Sequence, residues 1–275
     1  MTIDEKYDLL VQILKKFGRA LVAYSGGVDS TFLLKACIDT LGAKNILACI
    51  AAGPSLPQSQ YAKAVEMAKN FNVSIKTVEP DELADKAFSA NKANRCFICK
   101  SHLYQMLNNI AKEEKYDYVL CGSNLDDYDD YRPGNKAAKI FNIRCPLAEA
   151  NLTKNDIRQL SRKLNLPTAD IPASPCLASR ICYGQKITRQ KLNQVEQAEE
   201  FLRSLGFVEF RVRLHGELAR IEVHQEDIDK IIAQRKEIAA KLKSLGFKFV
   251  SVDLEGFRSG SLNEMLSKED KQKNL

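Results

Sequence analysis

An apolar run, Ala20-Leu21-Val22-Ala23-Tyr24, leads directly into Ser25-Gly26-Gly27-Val28-Asp29-Ser30, and Phe32, Leu33, Cys37 and Leu41 follow at helical spacing. Buried strand, double-glycine loop and helix from near Asp29 to Gly42 is the succession a βα unit of a parallel sheet needs. Two glycines let backbone approach phosphate oxygens closely. The loop N–H groups and the helix start make an anion site. Ser25 and Ser30 can add hydroxyl hydrogen bonds. Asp29 would repel a phosphate directly, and a Mg²⁺ ion between the two removes the conflict. The Walker lysine and G-x-G-x-x-G are both missing, so neither a kinase-type P-loop nor a dinucleotide site is supported.

The same alternation continues. Strands are expected at Ile46–Ala51, 75–78 and Tyr118–Cys121, and helices at about 58–71 and 96–112, with a loop over 122–134. This is an α/β pattern, a Rossmann-like parallel sheet with helices on both faces. Thr153 and Asp156 read as a capping box for a helix over 154–165. Pro167, Pro172 and Pro175 then interrupt regular structure. The boundary falls there, giving a nucleotide domain over 1–175 and a smaller α+β domain over 176–275 for substrate or oligomer contacts. In the latter, helix 189–205, strands 208–214 and 218–224, helix 226–244 and strand 247–253 are expected. Leu202-Arg203-Ser204-Leu205-Gly206-Phe207 recurs as Leu242-Lys243-Ser244-Leu245-Gly246-Phe247. The polar 268–275 tail is expected to lack order.

A formal charge of +6 is mild; it suits an anionic small molecule and makes a nucleic-acid partner an unattractive reading. No apolar stretch approaches a membrane span and no basic-then-apolar leader opens the sequence, so the expected location is cytoplasmic. Eight cysteines in a reducing compartment are not a disulfide framework. Cys37, Cys49 and Cys121 read as small core residues. Cys96 and Cys99 form a CxxC, and Cys176 follows in Pro175-Cys176-Leu177-Ala178-Ser179-Arg180-Ile181. Three such thiols could hold three irons of a 4Fe–4S cluster and leave the fourth open. Zinc on Cys96, Cys99 and His102 or Cys176 is the competing reading. Arg211 and Arg213 lie two apart on a strand and so share a face.

Ser25–Ser30 resembles the SGGxDS motif of the PP-loop ATP pyrophosphatases, and Gly122-Ser123-Asn124-Leu125-Asp126-Asp127 resembles that family's second, acidic loop. The resemblance extends along nearly the whole chain to the LarE subfamily of ATP-dependent sulfur transferases. It is carried by Arg95-Cys96-x-x-Cys99-Lys100, Asp130-Tyr131-Arg132-Pro133-Gly134, Cys145-Pro146-Leu147, Pro175–Ile181, Arg211-Val212-Arg213, Ala219–Val223 and Gly260–Glu264. Two positions depart from the pattern: Asn91–Asn94 before the CxxC, and Cys182 where proline is common.

The resemblance implies that ATP and Mg²⁺ are bound by Ser25, Gly26, Gly27, Val28, Asp29, Ser30, Gly122, Asn124, Asp126 and Asp127. A substrate carboxylate, that of a pyridinium dicarboxylate mononucleotide, is adenylated with loss of pyrophosphate. Sulfur then displaces AMP. It comes either from Cys176 itself, sacrificed as dehydroalanine, or from a sulfide on a 4Fe–4S cluster held by Cys96, Cys99 and Cys176; the complete triad favours the cluster. Arg180, Arg211 and Arg213 are candidates for the substrate's anionic groups, with Glu199, Glu200 and Glu222 as weaker metal or base candidates. The family also implies a homo-oligomer. A tRNA thiolase, an ammonia-dependent amide-forming synthetase and a non-catalytic nucleotide sensor are the rival functions.

Overall fold

The computed structural model describes residues 1–128, 133–172, 175–258 and 260–273. They form two compact units. Met1–Glu82 and Cys96–Ser174 make the first, and Leu83–Arg95 with Pro175–Lys273 the second.

The first unit opens with α1 (Ile3–Leu14), β1 (Ala20–Ala23), α2 (Val28–Leu41), β2 (Ile46–Ala51), α3 (Gln58–Asn70) and β3 (Ser74–Val78). The chain then enters the second unit for the short α4 (Lys86–Ser89), returning with α5 (Arg95–Glu113). β4 (Tyr118–Cys121), α6 (Gly134–Ile140), α7 (Pro146–Glu149) and α8 (Lys154–Lys163) complete the first unit.

Its four strands are all parallel, in the order β3-β2-β1-β4. β1, β2 and β4 are apolar on both sides because both sides are covered, while the edge strand β3 carries Ser74, Lys76 and Thr77 and is partly exposed. Ala20, Val22, Ile46, Ala48, Ile50 and Leu120 join Leu10 and Leu14 of α1 and Phe32 and Leu33 of α2 in one core. The alternate residues Leu21, Leu47, Cys49, Val119 and Cys121 join Tyr104, Leu107 and Ala111 of α5 in another. That period of two lets one strand serve two cores. β2 and β3 continue to one side of β1 while β4 lies on the other, so the winding reverses at β1. Open α/β sheets leave a crevice at the carboxyl ends of the strands at such a reversal. The loops after β1 and β4 border it.

The second unit contains α9 (Arg189–Ser204), β5 (Phe210–His215), β6 (Leu218–Val223), α10 (Ile228–Ala233), α11 (Arg235–Ser244), β7 (Phe249–Val252) and α12 (Lys268–Lys273). β5 and β6 are antiparallel, and β6 and β7 are parallel. Both copies of the repeat end a helix in the same way. Gly206 and Gly246 take positive φ (84° and 100°), and Phe207 and Phe247 donate back to Leu202 and Leu242. Both phenylalanines are thereby buried.

The structure corrects two expectations. The helix over 226–244 is two helices, because Gln234 leaves helical geometry (ψ 10°), ending α10 and starting α11. The polar tail is not without order, since Lys268–Lys273 is helical. Ser267 starts it: its Oγ accepts from Asp270 N at 3.0 Å, and its N–H donates to the Asp270 carboxylate at 3.3 Å. Asn274 and Leu275 lie outside the described residues.

The capping box at α8 is present as read: Asp156 N donates to Thr153 Oγ1 at 3.2 Å and Thr153 N to Asp156 Oδ2 at 3.0 Å. Thr153→Ala is expected to lower stability by about 1 kcal/mol, measured as a shift in the urea midpoint at unchanged slope.

Candidate active site

The loop after β1 is built to leave space. Gly26 has φ 74°, and a Cβ there would lie 2.6 Å from the Ala64 Cβ, so both conformation and contact require glycine. Gly27 is different. Its φ is −77°, and a Cβ would meet only Ser25 Oγ at 3.5 Å, an ordinary contact. Packing within the chain therefore does not demand glycine at 27, and the room in front of it is available to a bound group. Gly27 provides no side-chain cap for α2, so the Val28, Asp29 and Ser30 N–H groups have no intrahelical partner. Ser30 braces the turn: its Oγ accepts from Ser25 N at 3.2 Å, lies 3.1 Å from Ser25 Oγ, and can donate to Gly27 O at 3.1 Å. Gln60 Nε2 of α3 donates to Ser25 O at 3.1 Å.

The loop after β4 meets this turn. A Cβ on Gly122 would lie 3.0 Å from Ser30 N and 3.2 Å from the Asp29 carbonyl carbon, so only glycine lets the two backbones pass so closely. Asn124 is buried, and its N–H donates to Asp127 Oδ2 at 3.1 Å. Asp126 is exposed and accepts from Lys154 N at 2.9 Å, while Lys154 Nζ pairs with Asp29 Oδ2 at 2.5 Å. One residue at the start of α8 thus ties the loop after β4 to the first turn of α2. In the sequence, the signal for Lys154 is its place directly after the capping Thr153, which marks a helix start and not a partner for Asp29. Asp29 Oδ1 and Asn124 Oδ1 are buried without a hydrogen-bond partner. Oxygen donors left over in this way suit a hard cation such as Mg²⁺. Asp130, Tyr131 and Arg132 lie outside the described residues.

Cys96 and Cys99 lie at i and i+3 near the start of α5, one face of one helix. Cys96 is exposed and Cys99 half-buried. Cys99 Sγ can donate to Glu82 Oε1 at 3.9 Å. Glu82 is buried, which pushes its carboxyl up, and a Cβ on Gly53 would overlap its Oε2. No sequence motif marked Glu82. Among the described residues, no group of three or more His, Cys, Asp or Glu side chains is arranged to hold a metal ion.

The second unit carries Cys176, exposed at the start of a tight turn over Leu177–Arg180. Arg180 fixes that turn from beneath. Its Nη1 donates to Pro175 O (2.7 Å), Cys176 O (3.3 Å) and Ser179 Oγ (2.9 Å). Its other face makes a fork onto Glu199, Nε to Oε1 at 2.8 Å and Nη2 to Oε2 at 3.0 Å, with both residues buried. Arg213 donates to Glu222 Oε2 (3.0 Å), Ser179 O (2.9 Å) and Ser261 Oγ (3.0 Å). Arg211 stacks on Phe257, 4.9 Å from its centroid. Burial, with Arg180 nearby, draws its guanidinium down to about 10. Arg180 and Arg213 therefore belong to a buried framework that holds the Cys176 turn. Cys182 is buried and its thiol is pushed up to about 11, which disfavours it as a nucleophile.

Burial alone would raise the Glu222 carboxyl, but hydrogen bonds and charge from Arg213, Arg220 and Ser261 outweigh it and hold it below the usual carboxylate range. A depressed folded value means that the stabilisation is complete above the unfolded value of about 4.3 and is lost as pH falls below it. Glu222→Gln is expected to be less stable than wild type at pH 7 and to lose less on acidification from pH 5 toward pH 3. Urea midpoints followed by circular dichroism check both.

Comparison with known proteins gives one consistent result. Residues 3–114 match the NAD synthase family model. A Synechocystis protein of unassigned activity is 42% identical over 97% of this chain and all of its own length. The pyridinium-3,5-bisthiocarboxylic acid mononucleotide synthase of Lactiplantibacillus plantarum is 37% identical, over 97% of each chain. A Methanocaldococcus jannaschii protein is 34% identical over 88% of this chain. With a relative of this kind 37% identical over nearly the whole of both chains, the chain belongs to the LarE-type family of PP-loop enzymes.

Proposed function

We propose that this enzyme cleaves ATP between its α and β phosphates and uses the AMP to activate a carboxylate of a pyridinium dicarboxylate mononucleotide for conversion to a thiocarboxylate. The observation that carries the nucleotide half is the open phosphate loop, with room at Gly27 and unpaired first-turn N–H groups beside a buried, unpartnered Asp29 oxygen. The substrate is suggested by the product named for the L. plantarum relative.

A free carboxylate resists attack because oxide would have to leave. Adenylation makes AMP the leaving group instead. Ser25–Ser30 would bind the departing pyrophosphate, with backbone N–H groups aimed at the developing charge. Mg²⁺, when held by Asp29 with Asn124, Asp126 and Asp127, would neutralise polyphosphate oxygens. Lys154 would exchange its ion pair with Asp29 for a contact with the polyphosphate once the cation takes up the aspartate. Arg211 and Arg213, with Arg180 as a positioning residue, would set an anionic substrate group against the Cys176 turn.

For the sulfur we propose Cys96, Cys99 and Cys176 as ligands of a 4Fe–4S cluster. Such a cluster supplies an iron without a protein ligand, able to carry exogenous sulfide. An exposed and a half-buried thiol on one face of α5, with a third exposed thiol at the start of the Leu177–Arg180 turn, support the donor set. The 1–175 segment would be the nucleotide domain and 176–275 the substrate and oligomer domain of a cytoplasmic homo-oligomer that binds no nucleic acid. None of its described helices is long and apolar enough to cross a membrane.

Anaerobically purified protein should contain about four irons with matching acid-labile sulfide. It should make several thiocarboxylates per chain when given ATP, Mg²⁺, sulfide and the mononucleotide. Cys96→Ala and Cys99→Ala should lose the iron and fall to at most one turnover. Multiple turnover in either variant would refute the cluster, and dehydroalanine at 176 would establish the sacrificial route. Lys154→Met is expected to weaken ATP and pyrophosphate binding by roughly tenfold or more while sparing AMP, because a charge-assisted contact is worth about 1.5–3 kcal/mol. Titration calorimetry with the three ligands reads this directly.

A further inference from the structure

Cys121 and Cys145 are distant in sequence, and neither has a role in the chemistry above. Arg144 N donates to Val119 O at 3.0 Å and Cys121 N to Arg144 O at 2.9 Å, so the segment before α7 pairs in parallel along the end of β4. That places Cys121 and Cys145 side by side on neighbouring extended chains. Such chains run about 4.8 Å apart, inside the Cα range of about 4.4–6.8 Å that a disulfide needs. Both side chains enter the core on the α5 side of the sheet, and the two sulfurs are 3.3 Å apart. Ser123 Oγ lies 3.5 Å from Cys121 Sγ. The Cys145 thiol donates to Cys121 and, with help from Lys100 and Ser123, holds it below the usual thiol range against the effect of burial. Cys37 and Cys49, buried in the same unit, are pushed up instead.

We propose that Cys121 and Cys145 are a redox pair, closed to a disulfide by a small hydroperoxide, and that closure lowers the affinity of the phosphate loop for nucleotide. The chemistry balances. The Cys121 thiolate attacks one peroxide oxygen, the O–O bond breaks, and the departing oxygen leaves as water or alcohol, giving a sulfenic acid. The Cys145 sulfur displaces that hydroxyl as water and the S–S bond forms. Two thiols lose two electrons and two protons, and the peroxide takes up both. Reducing compartments leave few disulfides standing, and those that form there are typically transient.

The link to the phosphate loop is a direct one. Gly122, next to Cys121, is the residue whose backbone rests on Asp29 and Ser30 with no room for a Cβ. Closing the bond draws the sulfurs together by about 1.3 Å. A shift of the Cys121 backbone reaches that neighbouring residue directly, and close-packed interiors transmit strain. The second half of the inference rests on reading the loop as a nucleotide site; the first half does not.

The test treats the reduced full-length protein with hydrogen peroxide, maps every cysteine by peptide mass spectrometry, and measures ATP affinity by calorimetry before and after dithiothreitol. A Cys121–Cys145 cross-link, an affinity loss of about tenfold, recovery on reduction, and an affinity insensitive to peroxide in Cys121→Ser and Cys145→Ser are expected. Oxidation confined to the exposed Cys96 and Cys176 would overturn the pair. A cross-link without change in ATP affinity would overturn the switch. If the reduced wild type binds no ATP, the nucleotide reading fails while the mapped cross-link still decides the pair.

Discussion

The first turn of α2 begins with N–H groups that the helix cannot satisfy, and Gly27 brings no side chain to satisfy them. Much of the first unit is arranged around that fact. α3 braces the loop through Gln60 and closes on Gly26 so tightly that no side chain fits there. β4 delivers Gly122 against Ser30 from the other side. An anion with several oxygens would complete the turn, which lies where the winding of the sheet reverses at β1, the position at which open α/β sheets take their ligands. Lys154 reaches Asp29 with its ammonium and Asp126 with its backbone N–H, so one residue of α8 engages both carboxylates.

The second unit solves a different problem. Arg180, Glu199, Arg211, Arg213 and Glu222 are all buried, where a lone charge is untenable. They are tolerated because they are paired and bonded. Glu199 receives a fork from Arg180 and a hydrogen bond from Val212 N at 3.1 Å, and Glu222 is shared by Arg213, Arg220 and Ser261. Such networks add little net stability but fix geometry, and removing one member leaves its partner exposed to the full penalty of burial. What they fix here is the backbone of the Cys176 turn.

The elements readable from the sequence were those with strong local signals. β2 and β4 lie at the expected residues because each is an apolar run with clear breaks, and the Thr153 box marks its helix start. α1 carries similar signals, the Thr2–Glu5 capping box and then Leu10, Ile13 and Leu14 at helical spacing. The break at Gln234 and the helix nucleated by Ser267 depend on single polar residues that composition averages away. Contacts between distant residues were out of reach. Nothing in the sequence pairs Lys154 with Asp29, Cys121 with Cys145, or Glu82 with Cys99. The arginines were legible as a same-face pair, but not their burial, since a carboxylate partner arrives from another strand or helix. The acidic loop was visible as a motif, while its glycine's contact with Ser30 follows only from the packing of β1 beside β4.

Everything proposed for the phosphate loop depends on where ATP is cut. Incubation with the mononucleotide, Mg²⁺ and ATP labelled in turn on the α and γ phosphates tests it most directly. α-label recovered in AMP and γ-label in pyrophosphate, both dependent on the mononucleotide, are the expected results. Label recovered as ADP and inorganic phosphate would contradict the reading of Ser25–Ser30 as a pyrophosphate-binding loop.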